Sequence, residues 1–278
     1  MLAVPPLDLF TQQILVWNPL VLPLWLVGGV ALLRRTGDDP GRIFAAIFVT
    51  TAAILIANGT SRPNYLALAM PPLIAAGAIE LERAASRRGL RWPLPLVAVL
   101  IAGLGLAGAP LTLPILPVSE LISFKAAVGL GAPQMEDREV GALDPHFADM
   151  IGWEEIVDPV AEVYSALPSE DRERAGILAS NYSEAGAIDL LGPERGLPAA
   201  ISPHNNYWLW GTGEADGSVM LLGGGRVELW REHWGSIEEA ATWDCGHCLP
   251  GRNHGMVYIA RSPRTPLSQI WQALRRYN

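Results

Sequence analysis

Four stretches of this chain carry residue types that can do chemistry. The first is Thr60-Ser61-Arg62-Pro63-Asn64-Tyr65, which sets a lone arginine and a tyrosine between two apolar runs. An arginine in so short a turn belongs at a membrane surface, because burying it in hydrocarbon costs at least ~2.5 kcal/mol. Tyr65 beside it at headgroup depth adds a hydroxyl, so the pair offers a fixed positive charge and a second donor. An anionic lipid headgroup such as a polyprenyl phosphate suits that pair. The same two residue types also serve as plain interfacial anchors, since both snorkel at helix ends.

The second stretch is Cys245-Gly246-His247-Cys248, spelled like the redox pair of protein disulfide isomerases. That chemistry uses a helix N-terminus at the first cysteine to lower its pKa. Leu249-Pro250-Gly251 follows at once and disfavours such a helix. Two cysteines three apart in an oxidising compartment also form a structural disulfide. A zinc clip with His247 or His254 falls short of four ligands. The third stretch, His204-Asn205-Asn206-Tyr207-Trp208-Leu209-Trp210-Gly211, gathers a histidine, amides and aromatics after a predicted strand. That composition suits a sugar or peptide face, and it equally suits a plug at a core edge. The fourth, Gly223-Gly224-Gly225, follows a strand and opens a helix, a place that receives phosphate. It lacks both a following Lys-Ser/Thr and a full G-x-G-x-x-G. Glu154-Glu155 and Glu170-Asp171 read as solvated helix faces. No nucleophile–His–acid set stands out, and no metal or cofactor is implied.

Composition says what must position these residues. The chain has 278 residues, 50% hydrophobic and 17% charged, too apolar for an ordinary soluble domain and too charged for a pure membrane bundle. The split is along the chain. Residues 1–117 hold eight arginines and five acids, whereas the remainder holds 12 basic and 23 acidic residues. The expected organisation is a membrane domain at 1–117, a linker at 118–143 and an acidic α/β domain at 144–278. So acidic a surface disfavours nucleic acid as a partner.

Apolar runs predict four spanning helices, at about 14–33, 43–58, 65–79 and 93–116. Pro19 and Pro23 lie inside the first, which membrane helices tolerate when neighbours satisfy the freed carbonyls. Arginines 34, 35 and 42 fill the first connector and 83, 87, 88 and 91 the third, while the turn between spans two and three holds only Arg62. The positive-inside rule puts the first and third connectors in the cytoplasm. The Arg62 turn and everything after Pro117 then lie outside. In the outer part, 149–167 reads as an amphipathic helix with Pro159 marking a kink or restart. Strands are expected at 176–179, 199–202, 218–222 and 256–260, and helices at 183–191, 227–234 and 267–277, which together suggest a layered sheet.

Resemblance adds to this reading. The runs Asp144-Pro145-His146-Phe147-Ala148-Asp149-Met150-Ile151-Gly152-Trp153-Glu154, Ala179-Ser180-Asn181-Tyr182-Ser183-Glu184 through Asp189, and Ile201-Ser202-Pro203-His204 through Gly211 resemble the outer domain of bacterial membrane glycosyltransferases. The type is that of the protein O-mannosyltransferase and aminoarabinose transferase-like enzymes. The Cys245/Cys248 pair and the closing helix fit as well. Arg62-Pro63-Asn64-Tyr65 followed by Pro71 resembles the family's Lys-x-Tyr-Tyr…Pro motif, with Arg in place of Lys and Asn64 in place of the first Tyr.

The resemblance implies a GT-C fold in the bacterial inner membrane, multi-pass, with its C-terminal domain periplasmic. Such an enzyme moves a sugar from a polyprenyl-phosphate donor to a protein, lipid or glycan acceptor at the outer face. An acidic residue in the family's first external loop activates the acceptor hydroxyl. A cation near the lipid phosphate stabilises the departing charge, and Arg62 and Tyr65 match those positions. The acidic loop and the helices that accompany it have no counterpart here, since Asp8 is the only acid before the first span. The chain is therefore expected to be the C-terminal half of such an enzyme, a fragment, a split-gene product or a non-catalytic paralogue, with an N-terminal half as a partner. The alternatives are a membrane-tethered glycan- or peptide-binding domain and a membrane-anchored thiol oxidoreductase.

Overall fold

The structure is a computed structural model that describes residues 6–37, 39–58, 63–130, 141–223 and 227–277. The chain divides into two compact units, Met1–Leu121 and Ile122–Asn278.

The first unit is all helical. Helix α1 (Pro6–Val16) ends before Asn18, whose φ of 68° breaks the chain direction. Asparagine tolerates this left-handed geometry because its side chain bonds locally. Here Asn18 Oδ1 accepts from Leu20 N at 3.1 Å, and Nδ2 donates to the Ile101 carbonyl at 3.0 Å. Pro19 then opens a 3₁₀ turn and α2 runs from Leu22 to Leu33. The expected 14–33 span is thus not one helix, because Asn18 and Pro19 interrupt it. Helix α3 (Arg42–Asn58) covers the second apolar run. A 3₁₀ turn at Pro63–Ala69 leads into α4 (Met70–Arg87), with prolines in the first turn where their missing N–H costs nothing. Helix α4 continues into the expected charged connector as far as Arg87, with Glu80 and Arg83 paired at 2.6 Å. Helix α5 (Pro93–Gly108) ends in a 3₁₀ turn at Ala109–Leu111.

Two of these segments, Tyr65–Arg87 and Pro93–Leu111, are long and apolar enough to cross a membrane. Pro19–Leu33 and Arg42–Asn58 are apolar but shorter. Helices α2 and α4 cross at two glycines. A Cβ on Gly28 would run into the Leu73 carbonyl, and one on Gly77 into that of Leu24, so the backbones touch directly. Close approach through small residues is how helices associate where water supplies no driving force. Val21, Trp25, Leu32, Ala45, Met70, Leu73 and Ala76 form the buried centre of this unit.

The second unit is a three-layer α/β/α sandwich. The division between units falls inside α6 (Val118–Ala127), a helix where a linker was expected. Its buried Lys125 pairs with Asp144 at 2.9 Å, which docks the helix to the short α7 (Pro145–Ala148). Helices α8 (Trp153–Ala166) and α9 (Ser169–Arg174) precede strand β1 (Ala175–Leu178). Pro159 sits within α8 without ending it. Then come α10 (Tyr182–Leu191), β2 (Ala200–Ile201), β3 (Val219–Gly223), α11 (Val227–Arg231), β4 (Trp234–Asp244), α12 (Pro250–Asn253), β5 (His254–Pro263) and α13 (Leu267–Leu274).

The sheet order is β2-β1-β3-β5-β4, with β2, β1 and β3 parallel and β5 antiparallel to both β3 and β4. Alternate residues face opposite layers. Ile177, Ala200, Val219, Leu221 and Val257 meet α8 and α10, while Leu178, Ile201, Met220, Leu222, Tyr258 and Ala260 meet α11 and α13. Burying each large aliphatic chain contributes about 1.5–3 kcal/mol. Residues 227–234 are not one helix, since α11 stops at Arg231 and Trp234 starts β4.

Candidate functional site

Tyr65 lies in the 3₁₀ turn ahead of α4 and is 54% exposed. Arg62, its expected partner at a lipid phosphate, lies outside the described residues, as do Gly224 and Gly225 of the glycine run. The α-helix after the turn begins at Met70, so the third span, expected from position 65, opens with a 3₁₀ turn.

In the outer unit, the parallel strands β1 and β2 end side by side, at the edge where open α/β sheets usually hold ligands. There Asn181 caps α10, its Oδ1 accepting from Ser183 N at 2.9 Å and Glu184 N at 3.0 Å. Glu184 is buried, and its carboxylate is held by Ser180 N, Ser180 Oγ at 2.7 Å and Asn181 Nδ2 at 2.8 Å. The remaining first-turn donor, Tyr182 N, goes to His204 Nδ1 at 3.3 Å, with the two rings stacked 5.1 Å apart. Accepting at Nδ1 puts the proton of neutral His204 on Nε2. Nε2 is buried without a hydrogen-bond partner among the described residues. The α10 N-terminus is therefore filled by the protein's own groups, and no donor there is left for an anion.

The residues 204–207 do not form one open face. His204 is 3% exposed, whereas Asn206 is exposed and Asn205, with φ 53°, is half-buried. The Tyr207 hydroxyl donates to Asp189 Oδ2, and Asp189 Oδ1 accepts from Ala200 N at 2.7 Å. One carboxylate on α10 thus holds both β2 and the aromatic turn that follows it. Burial raises the Tyr207 pKa, and the hydrogen bond and charge of Asp189 raise it further. Asp189 escaped sequence reasoning because it stands 18 positions from Tyr207 with no local signal.

Beside this network is a cleft of about 560 Å³ lined by Ser180, Pro203, Glu232, His233, Arg275 and Arg276, among others. Arg275 lies over the Trp208 ring at 4.3 Å and donates to the Tyr277 hydroxyl. The lining mixes an acid, Glu232, with the basic Arg275 and Arg276. None of Glu232, His233, Arg275 or Arg276 carries a sequence pattern that marks it.

Cys245 and Cys248 are joined as a disulfide in the β4–β5 loop. Cys245 follows the end of β4, and the four-residue α12 begins only after Cys248, so no helix starts at Cys245 itself. Both sulfurs lie against Gly152, at the start of α8, whose φ of 83° and lack of Cβ the contact requires. From the same loop, buried Arg252 donates to the carbonyls of Ala148 at 3.0 Å and Ile151 at 3.3 Å, and pairs with Asp149 at 3.3 Å. Its guanidinium lies 3.8 Å from the Trp153 ring centre. Burial lowers the Arg252 pKa, opposed by the charges of Asp149 and Glu184. No group of three or more His, Cys, Asp or Glu side chains among the described residues is placed to hold a metal ion.

Comparison of the chain with protein-family models, with characterised proteins and with solved structures finds no match.

Proposed function

We propose that this chain carries the donor-lipid site and the extracytoplasmic domain of a membrane glycosyltransferase that uses a polyprenyl-phosphate sugar. In this reading the apolar segments around α2, α3, α4 and α5 all cross the bacterial inner membrane, with the second unit in the periplasm. Arg62 and Tyr65 hold the lipid phosphate at the outer surface. The acceptor hydroxyl attacks the anomeric carbon as the C1–O bond to the phosphate breaks, and Arg62 stabilises the charge that develops on the leaving phosphate. The acid that deprotonates the acceptor has no counterpart among these residues, so the reading assigns it to a separate polypeptide segment.

One observation carries the proposal. Of the eight basic residues in 1–117, Arg62 is the only one that the charge count assigns to the outer side, and the membrane-length helix Tyr65–Arg87 starts just after it. Nothing in topology calls for a cation there. The test is binding of polyprenyl phosphate by the protein in nanodiscs, with uncharged polyprenol as control. Arg62→Ala should weaken binding by about 1.5–3 kcal/mol, the range for hydrogen bonds to charged groups, and Arg62→Lys should be nearly silent. Equal binding by wild type and Arg62→Ala would reduce Arg62 to an interfacial anchor.

A second reading, a glycan- or peptide-binding domain without catalysis, is favoured by the mixed-charge cleft at the ends of β1 and β2. Glycan or peptide binding that survives loss of polyprenyl-phosphate binding would support it.

A further inference from the structure

The disulfide loop stands behind a wall, and a groove stands in front of it. The wall is the segment 148–155. On its rear side, both sulfurs press on Gly152 while Arg252 grips Ala148, Asp149 and Ile151 and covers Trp153. On its front side, Met150, Trp153, Glu154 and Glu155 face Ser183 and Leu190 of α10 across a groove of about 550 Å³. Met150 and Leu190 are 55% and 78% exposed there. The loop itself is short. Asp244 and His254 are the last paired residues of β4 and β5, and Cys245, Cys248 and Arg252 all lie between them.

We propose that Cys245–Cys248 is a redox-operated latch that sets the position of this wall. In the oxidised protein the bonded sulfurs fit against Gly152, where there is no space even for a methyl group. The bond ties partly exposed Cys245 to buried Cys248 and so fixes the shape of the short loop that carries Arg252; once it is cut, Cys245 is free to move towards solvent. The loop then swings away from 148–155 and takes Arg252 with it. Access favours one order of attack. Cys245 is partly exposed between exposed neighbours, while Cys248 is 2% exposed. A dithiol reductant attacks Cys245 Sγ as thiolate, the S–S bond breaks, and Cys248 leaves as a thiolate that takes up a proton. The reductant's second thiol then displaces Cys245, which is protonated in turn. Two electrons and two protons reach the protein, and the reductant departs as a disulfide.

The experiment is hydrogen exchange on the full chain in nanodiscs, before and after dithiothreitol, with thiols counted in parallel. Reduction to two thiols should speed exchange in 148–155 on the order of tenfold, the scale of a short disulfide loop. Exchange in β1 and β3 should stay unchanged, and reoxidation should restore the slow rate. The double variant Cys245→Ser, Cys248→Ser should match the reduced protein and ignore dithiothreitol. If two thiols appear and 148–155 exchanges as before, the latch does not exist. If β1 and β3 also lose protection, the disulfide holds the whole domain and is no latch. Wild-type reduction decides the matter even where the double variant does not fold.

Discussion

Trp208 and Trp271 exchange hydrogen bonds, the indole N–H of each donating to the backbone carbonyl of the other at 3.0 and 3.1 Å. The pair ties the turn Asn205–Trp210 to α13, beside the cleft that Arg275 and Arg276 line. Trp271→Phe keeps most of the ring but removes the indole donor, leaving the Trp208 carbonyl with the Gly211 N–H alone. We expect a loss of about 0.5–1.5 kcal/mol, the net worth of one hydrogen bond, seen as a lower midpoint in thermal unfolding. Trp210, 72% exposed, is the control, and Trp210→Phe should stay within about 0.5 kcal/mol of wild type.

The crossing of α2 and α4 leaves no room at Gly28. Gly28→Ala would drive a methyl group into the Leu73 carbonyl, and overpacking of this kind costs about 1–3 kcal/mol. The purified variant should lose its single size-exclusion peak in detergent at a lower temperature than wild type. Gly29→Ala, whose Cβ meets only the Leu73 side chain at 3.6 Å, should behave as wild type. Equal behaviour of the two variants would contradict the close crossing.

Tyr207 links stability to pH. Its pKa is raised above the ordinary 10.0, so the folded state holds this proton more tightly than the unfolded chain does. The stabilisation is complete below pH 10 and is lost as pH rises beyond it. In denaturant unfolding at pH 9 to 11, wild type should lose stability faster than Tyr207→Phe. Parallel curves for the two proteins would show that Tyr207 titrates normally.

The arginine distribution predicts that the second unit is outside the cell membrane. Protease added to intact spheroplasts should remove the 144–278 region. Protection of that region would overturn both the orientation and the function proposed from it.

Much of the sandwich is legible in sequence because its central elements are buried on a clear period. Ile177, Leu178, Val219, Met220, Leu221 and Leu222 lie in short apolar runs bounded by turn residues, as strands covered on both faces do. The amphipathic 149–167 stripe likewise places α8, although Gly152 trims its start. Strand β4 is illegible for the opposite reason. Its residues Glu238, Glu239, Ala240 and Ala241 are poor strand formers and mostly exposed, and pairing with β5 alone makes them a strand. The polar run 204–207 shows the limit for sites. Composition announces hydrogen-bonding groups but not their partners, and Asp189, Tyr182 and Arg276 claim these groups from distant positions. Arg252 carries no pattern at all, yet it meets four residues some hundred positions away.

The sheet order puts β2 and β4 at its two margins, and neither margin invites a further strand. β2 is only two residues long, too short to template a neighbour. β4 is long, but its ladder shifts register between Glu239 and Ala241, and it turns Glu238 and Glu239 outward. An incoming strand would meet a kinked backbone and a pair of carboxylates, two of the devices by which sheets resist fusing edge to edge. In the membrane setting proposed above, such a domain would face its own copies at high local density. This sheet is terminated so that crowding does not become polymerisation.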